Sequence, residues 1–135
     1  MHQAITKYCP TLVKNRHHNG HPDLIPIDVY PNNAVLHGEY GIEIKASRYR
    51  SGWQGHNAED VWLMVFVFES SAQPDTAAEL PPRSFRFLSV SGAQLTKVDW
   101  GVSGRSETSR RTPTASVLRS GYAKMNANWI YRASP

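Results

Sequence analysis

Three side chains in the first half of the chain are of the types that together cut phosphate esters. Pro22-Asp23 is followed twenty residues later by Glu43-Ile44-Lys45, and this Glu-x-Lys lies inside an apolar stretch, GIEIKAS. A strand period of two puts Glu43 and Lys45 on one face, with Ile42 and Ile44 facing the other way into the core. Two charges on an otherwise buried strand are costly unless partnered, and Asp23, at the end of the preceding hairpin arm, is the expected partner. Two carboxylates within reach of one point make a hard-oxygen site suited to Mg²⁺ or Mn²⁺. A lysine beside them orients or helps deprotonate an attacking water and stabilises charge on a phosphate. Glu-x-Lys alone is a weak signal. Its order carries the reading: Asp first, a hairpin, the Glu-x-Lys in a strand, then a buried strand.

Those residues resemble the PD-(D/E)xK signature of restriction-endonuclease-like nucleases. The resemblance spans residues 20–69, about 50 of 135. It implies that Asp23 and Glu43 are metal ligands, joined by the backbone of Ile44, and that Lys45 is the catalytic lysine. Many members place a glutamine shortly after the lysine, and Gln54 is the candidate for that role. The implied fold is α/β (α+β), a mixed β-sheet core flanked by a few helices. The implied activity is Mg²⁺-dependent (or Mn²⁺-dependent) DNA cleavage leaving 5′-phosphate and 3′-hydroxyl ends, as in a restriction or defence enzyme. DNA stands ahead of RNA on family grounds only. A domain this small holds one active site, so duplex cleavage implies a homodimer. The family also opens with a helix carrying an acid and places a helix after the lysine strand. Here residues 1–16 contain no acid, and 48–60, with Gly52 and Gly55, reads as a loop or one turn. The rival readings are a non-catalytic nucleic-acid-binding module of the same fold and a nuclease toxin domain or piece of a larger defence protein. An HNH nuclease, suggested by His18-Asn19 and His56-Asn57, lacks its hairpin-then-helix frame.

The elements that must position these residues are mostly strands. Residues 24–30 read as an edge strand or strand end broken by Pro26, and Asn32-Asn33 as a turn. Residues 34–37 and 40–47 read as two short strands. VWLMVFVFE, Val61–Glu69, is continuously apolar and reads as a central strand buried on both faces. Residues 84–90 alternate like a half-buried strand, with 93–100 as its hairpin partner across Ser91-Gly92. Thr112-Pro113 looks like a helix start, with Leu118, Tyr122 and Met125 at i, i+4, i+7 and Gly121 inside costing about 1 kcal/mol relative to alanine. A short helix over 4–13 is cut by Pro10. The Pro-rich segment 70–82 and the basic stretch 103–114 read as flexible loops in a single 135-residue domain.

Charge divides along the chain. Residues 1–16 carry +3, residues 17–82 carry −6 and residues 83–135 carry +7. Arginine outnumbers lysine ten to five, which favours bidentate phosphate contact. An acidic middle beside a basic last third fits a cation site next to a polyanion surface. Arg48, Arg50 and Trp53 interleave guanidinium with aromatic side chains, and Arg105, Arg110 and Arg111 lie among serines and threonines. All six are nucleic-acid-binding candidates, the alternatives being a solvated loop with Trp53 tucked onto the core and a mobile basic loop. Asn126, Asn128, Trp129 and Tyr131 either contact bases or pack. No apolar run reaches the roughly 20 residues of a membrane span, the first ten residues lack a signal-peptide core, and Cys9 is the only cysteine. A cytoplasmic protein without disulfides or a cysteine-based zinc site is expected.

Overall fold

In the computed structural model, residues 2–55, 57–103 and 114–134 are described. Arg105, Arg110, Arg111 and the Thr112-Pro113 helix start lie outside the described residues. Where described, the chain is mixed α+β: two sheets and a few short helices.

The organising element is the nine-residue strand Val61–Glu69, numbered β5 in chain order. Its neighbours are Ile42–Ser47 (β3), which runs parallel to it, and Arg86–Leu95 (β6), which runs antiparallel. Outside β3 lie Leu24–Pro26 (β2) and Leu12–Lys14 (β1), and outside β6 lies Trp129–Arg132 (β9). The order across this sheet is β1-β2-β3-β5-β6-β9. The parallel crossover from β3 to β5 carries only Gln54–Gly55 (β4) as regular structure among its described residues. That short strand pairs with Thr114–Val117 (β8), which pairs with Trp100–Ser103 (β7), giving a second, three-stranded sheet. The helices are His2–Tyr8 (α1), Gln73–Ala77 (α2) and Arg119–Ala127 (α3).

The core lies on one face of the large sheet. Val61, Leu63, Val65 and Val67 point into it and meet Trp53, Trp100, Ala115, Val117 and Met125 from the small sheet and α3. The opposite face carries Trp62, 47% exposed, and the partly buried Met64, Phe66 and Phe68. The expectation of burial on both faces of β5 is therefore wrong. On the open face the aromatics pack on one another instead, with ring centroids 5.7 Å apart for Phe66–Phe87 and 5.1 Å for Phe85–Phe87.

Other sequence readings need adjustment. The turn expected at Ser91-Gly92 does not form. Both residues sit in the ladder opposite Val65 and Met64, because β6 must match the length of β5. Residues 34–37 form no strand, and His37 makes only an isolated bridge to His21. Beyond Pro26 the chain turns rather than continuing to Tyr30. The last helix begins at Arg119, after strand β8, and N-terminal helix α1 stops at Tyr8, before Pro10.

A single buried carboxylate ties the layers. Asp99 is 1% exposed and precedes β7. It accepts hydrogen bonds from the Thr96 amide (2.9 Å) and hydroxyl (3.1 Å) and from Lys124 of α3 (2.6 Å). Burial opposes its charge, but the bonds from Lys124, Thr96 and Ser120 outweigh that and hold its pKa well below the ordinary carboxylate range. Removing one partner of such a pair leaves the other uncompensated. Because Lys124 is partly exposed, Asp99→Asn is expected to cost about 2 kcal/mol in urea unfolding at pH 7, the worth of the charge-assisted hydrogen bonds lost. The carboxylate's contribution is complete above its unfolded pKa of about 4 and fades as pH falls below it, so the variant should lose stability less steeply than wild type in that acid range.

Candidate active site

The pairing pattern puts Glu43 opposite Leu63 and Lys45 opposite Val65. Glu43 and Lys45 do share a face, as the strand period requires, but it is the core face. Ile42 and Ile44 stand on the open face with Trp62 and Met64, the reverse of the expectation. The two charges are tolerated because the covering layer stops short of them. A cleft of about 300 Å³ opens there, bordered by His21, Glu43, Lys45, Gln54, Glu59 and Trp100 among others.

Asp23 reaches this strand from the residue preceding β2. Its Oδ2 accepts a hydrogen bond from the Ile44 amide at 2.9 Å, and its own amide donates to Glu43 Oε2 at 3.2 Å. The two segments are thus cross-braced, the Asp23 carboxylate on the Ile44 amide and the Glu43 carboxylate on the Asp23 amide. Tight packing makes this possible: Gly41 has φ +145°, and a Cβ there would strike the Leu24 carbonyl and come within 2.6 Å of Pro22 Cγ. Upstream, buried Asn15 bonds the carbonyls of Pro22 (3.0 Å) and Val35 (2.8 Å) and accepts from the amides of His17 and Val35, fixing the loop that delivers Asp23. Asp23 itself borders the hollow formed by residues 14–20 rather than the cleft.

His21 and Glu59 were not among the site residues read from the motif. His21 Nδ1 lies 3.0 Å from Glu43 Oε2, and its Nε2 contacts Glu59 Oε2. The imidazole therefore bridges two carboxylates. Glu59 comes from the segment just before β5, held by Trp100 Nε1 donating to its carbonyl at 3.0 Å. Parallel pairing of β3 and β5 brings their starts together, so Glu59, two residues before β5, reaches the same imidazole as Glu43. Nothing in the spacing of Glu59 signals this; parallel pairing had to be known first.

Lys45 Nζ donates to the Gln54 carbonyl, so Lys45 and Gln54 meet at the cleft through backbone rather than through the glutamine amide. Ile44 also borders the cleft. Trp53 does not belong to a nucleic-acid surface. It is 4% exposed, its Nε1 donates to the Tyr49 carbonyl, and its ring packs on Tyr122 with centroids 5.0 Å apart. The aromatic left on the surface beside the arginines is Tyr49. Arg48 is tied to the Ser70 hydroxyl (3.1 Å) and Ser71 carbonyl (2.9 Å) and lies over Phe68. Arg50 is exposed at a different hollow.

Among the described residues no group of three or more His, Cys, Asp or Glu side chains is set to share a metal ion. His21 stands between Glu43 and Glu59, which separates them. The adjoining Asp23 and Glu43 carboxylates fit a hard divalent cation by donor type. Mg²⁺ is usually held by one or two carboxylates, its remaining positions taken by water and phosphate oxygens.

No family model, curated protein or solved structure matches this chain.

The hydrogen bond to Glu43 is the main cause that raises the His21 pKa above the ordinary imidazole value; burial opposes it, and the charges of Glu43, Glu59 and Asp23 add to it. His21 should therefore titrate above about pH 6.5 in an NMR pH series. In Glu43→Gln the midpoint should fall back toward that value, and an unchanged midpoint would mean the bridge does not form in solution.

Proposed function

We propose that the protein is a metal-dependent endodeoxyribonuclease of the restriction-endonuclease-like fold, acting in the cytoplasm. The observation that carries this reading is the cross-bracing of Asp23, just before β2, with the Glu43-Ile44 segment of β3, whose Glu43 and Lys45 line a cleft. The mixed sheet, with Asp23 before β2, Glu43 and Lys45 in β3 antiparallel to β2, and the long β5 parallel to β3, supports the same reading. A catalytic ion, Mg²⁺ or Mn²⁺, would be held by Asp23, Glu43 and the Ile44 backbone, and would supply Lewis-acid charge to a phosphate and acidify water.

The chain's own residues have distinct tasks. Asp23 and Glu43 are fixed by backbone amides, so they need no reorganisation when substrate arrives. Lys45, anchored on the Gln54 carbonyl, presents its ammonium at the cleft to orient the attacking water and to offset charge building on the phosphate oxygens. Water adds to phosphorus, the bond to the 3′ oxygen breaks, and the products are a 5′-phosphate and a 3′-hydroxyl. His21 and Glu59 form the opposite wall and hold Glu43 from its free side. With one such cleft per chain, duplex cleavage takes two copies of the protein.

The test is cleavage of supercoiled and linear DNA with Mg²⁺, Mn²⁺ or EDTA. Cutting should require the metal and fall roughly hundredfold or more in Lys45→Ala and in Asp23→Ala. Cutting that survives both substitutions would overturn the assignment. Salt-sensitive DNA binding without any cutting, retained in both variants, would instead identify a non-catalytic binding module.

A further inference from the structure

A second hollow, of about 510 Å³, lies at the other end of β5 and plays no part in the chemistry above. Val61 borders the active-site cleft and Val67 borders this hollow. Six strand residues separate them, about 20 Å. Both openings lie on the core face of the large sheet, divided by the segment that carries Trp53 and Gln54.

The lining is basic, hydroxylic and aromatic. Arg50, Arg86 and Arg132 border it, with Ser89, Ser91 and Trp129. Only Arg86 has an acidic partner, Glu69. Arg50 has no hydrogen bond or ion pair among the described residues, and the Arg132 guanidinium sits 5.3 Å from the Trp129 ring centroid with no carboxylate against it. Two positive charges therefore face the hollow unmatched. Ser91 supplies an independent sign. It is only 7% exposed, yet among the described residues its hydroxyl has no hydrogen-bond partner. Buried hydroxyls are nearly always satisfied, and an unsatisfied one at a basic hollow marks the place of a ligand acceptor or bound water. Trp129 is 54% exposed and offers a flat apolar face beside Arg132.

We propose that this hollow binds one nucleotide of a nucleic-acid strand, its phosphate held by Arg50, Arg132 and the Ser91 hydroxyl, and its base stacked on Trp129. Guanidinium forks match phosphate oxygens, and aromatic faces stack any base, so recognition is independent of sequence. The volume suits a single nucleotide. The inference rests on the nucleic-acid substrate proposed above and adds where the strand is gripped. The 20 Å offset corresponds to about six nucleotide steps of duplex rise from the scissile phosphate.

Binding of a fluorescent single-stranded 20-mer, read by anisotropy in EDTA across a salt series, tests this without cleavage. Trp129→Ala should weaken binding about tenfold. Arg50→Ala and Arg132→Ala should each weaken it severalfold and lower the slope of log K against log salt by about 0.7. Ser91→Ala, which removes one oxygen and adds no bulk, should also weaken it, while Lys45→Ala should bind as wild type. Equal binding by the wild type and the Arg50, Arg132 and Trp129 variants, with unchanged melting temperatures, would overturn the proposal. So would saturation by a deoxymononucleotide with no oligonucleotide binding. The same variants are then assayed for cutting with Mg²⁺. Binding lost in the variants while wild type fails to cut would sink the nuclease reading alone, whereas normal cutting and binding by the variants would sink the hollow alone.

Discussion

Strand parity is the constraint from which the rest of this molecule follows. Because β3 and β5 pair in parallel with Glu43 opposite Leu63, the two charged residues of β3 are committed to the face that β5 fills with valine and leucine. One residue of slip would put Glu43 and Lys45 on the open face and send the isoleucines to the core. The register that is present instead forces the covering layer to end before it buries two charges. The small sheet and α3 pack on the β5 valines and Leu63 but leave the ends of Val61 and Leu63 at a cleft. A site arises there because full coverage would cost more than the apolar contacts would return.

At the cleft and in the loop beside it the charges are resolved by mutual restraint. Asp23, Glu43 and Glu59 would repel one another if left alone. Two backbone amides, the bridging imidazole of His21 and the nearby ammonium of Lys45 offset that repulsion. Each carboxylate is also delivered by an unrelated device. Asn15 and Gly41 place Asp23, the β3 ladder places Glu43, and Trp100 of the small sheet holds the backbone of Glu59. The site is therefore assembled from segments far apart in the chain, and its geometry depends on both sheets being formed.

That dependence sets what could be read in advance. Strand β5 was legible to the residue because an uninterrupted apolar run with flanking polar residues has one simple interpretation. The side on which it is buried was not, since Trp62, Met64, Phe66 and Phe68 are as apolar as the valines; on the open face Phe66 and Phe68 instead meet Phe87 and Phe85. Asp23, Glu43 and Lys45 could be grouped because they lie on sequence-adjacent strands. Glu59 could not be grouped with them, because a parallel pair brings together residues whose separation carries no period, whereas His21 lies only two residues before Asp23. Trp53 could be read either as surface or as core for a related reason: its neighbours Arg48, Tyr49 and Arg50 are exposed, and only the hydroxyl of Tyr122, 69 residues away, reveals that the chain dives into the core at that point.

The division of charge along the sequence acquires a spatial meaning once β5 is seen as an axis. The acidic middle of the chain supplies the carboxylates at the start of β5, whereas two of the arginines at its far end, Arg86 and Arg132, come from the basic last third. Arg50 joins them from the acidic middle through the same short segment whose Gln54 carbonyl anchors Lys45. A polyanion approaching this face meets attraction at one end and carboxylates at the other, so the field both draws it in and orients it. A cation bound between Asp23 and Glu43 would remove much of the repulsion at the acidic end and leave the arginines unchanged. Metal binding and strand binding would then reinforce each other through charge alone, without a moving part.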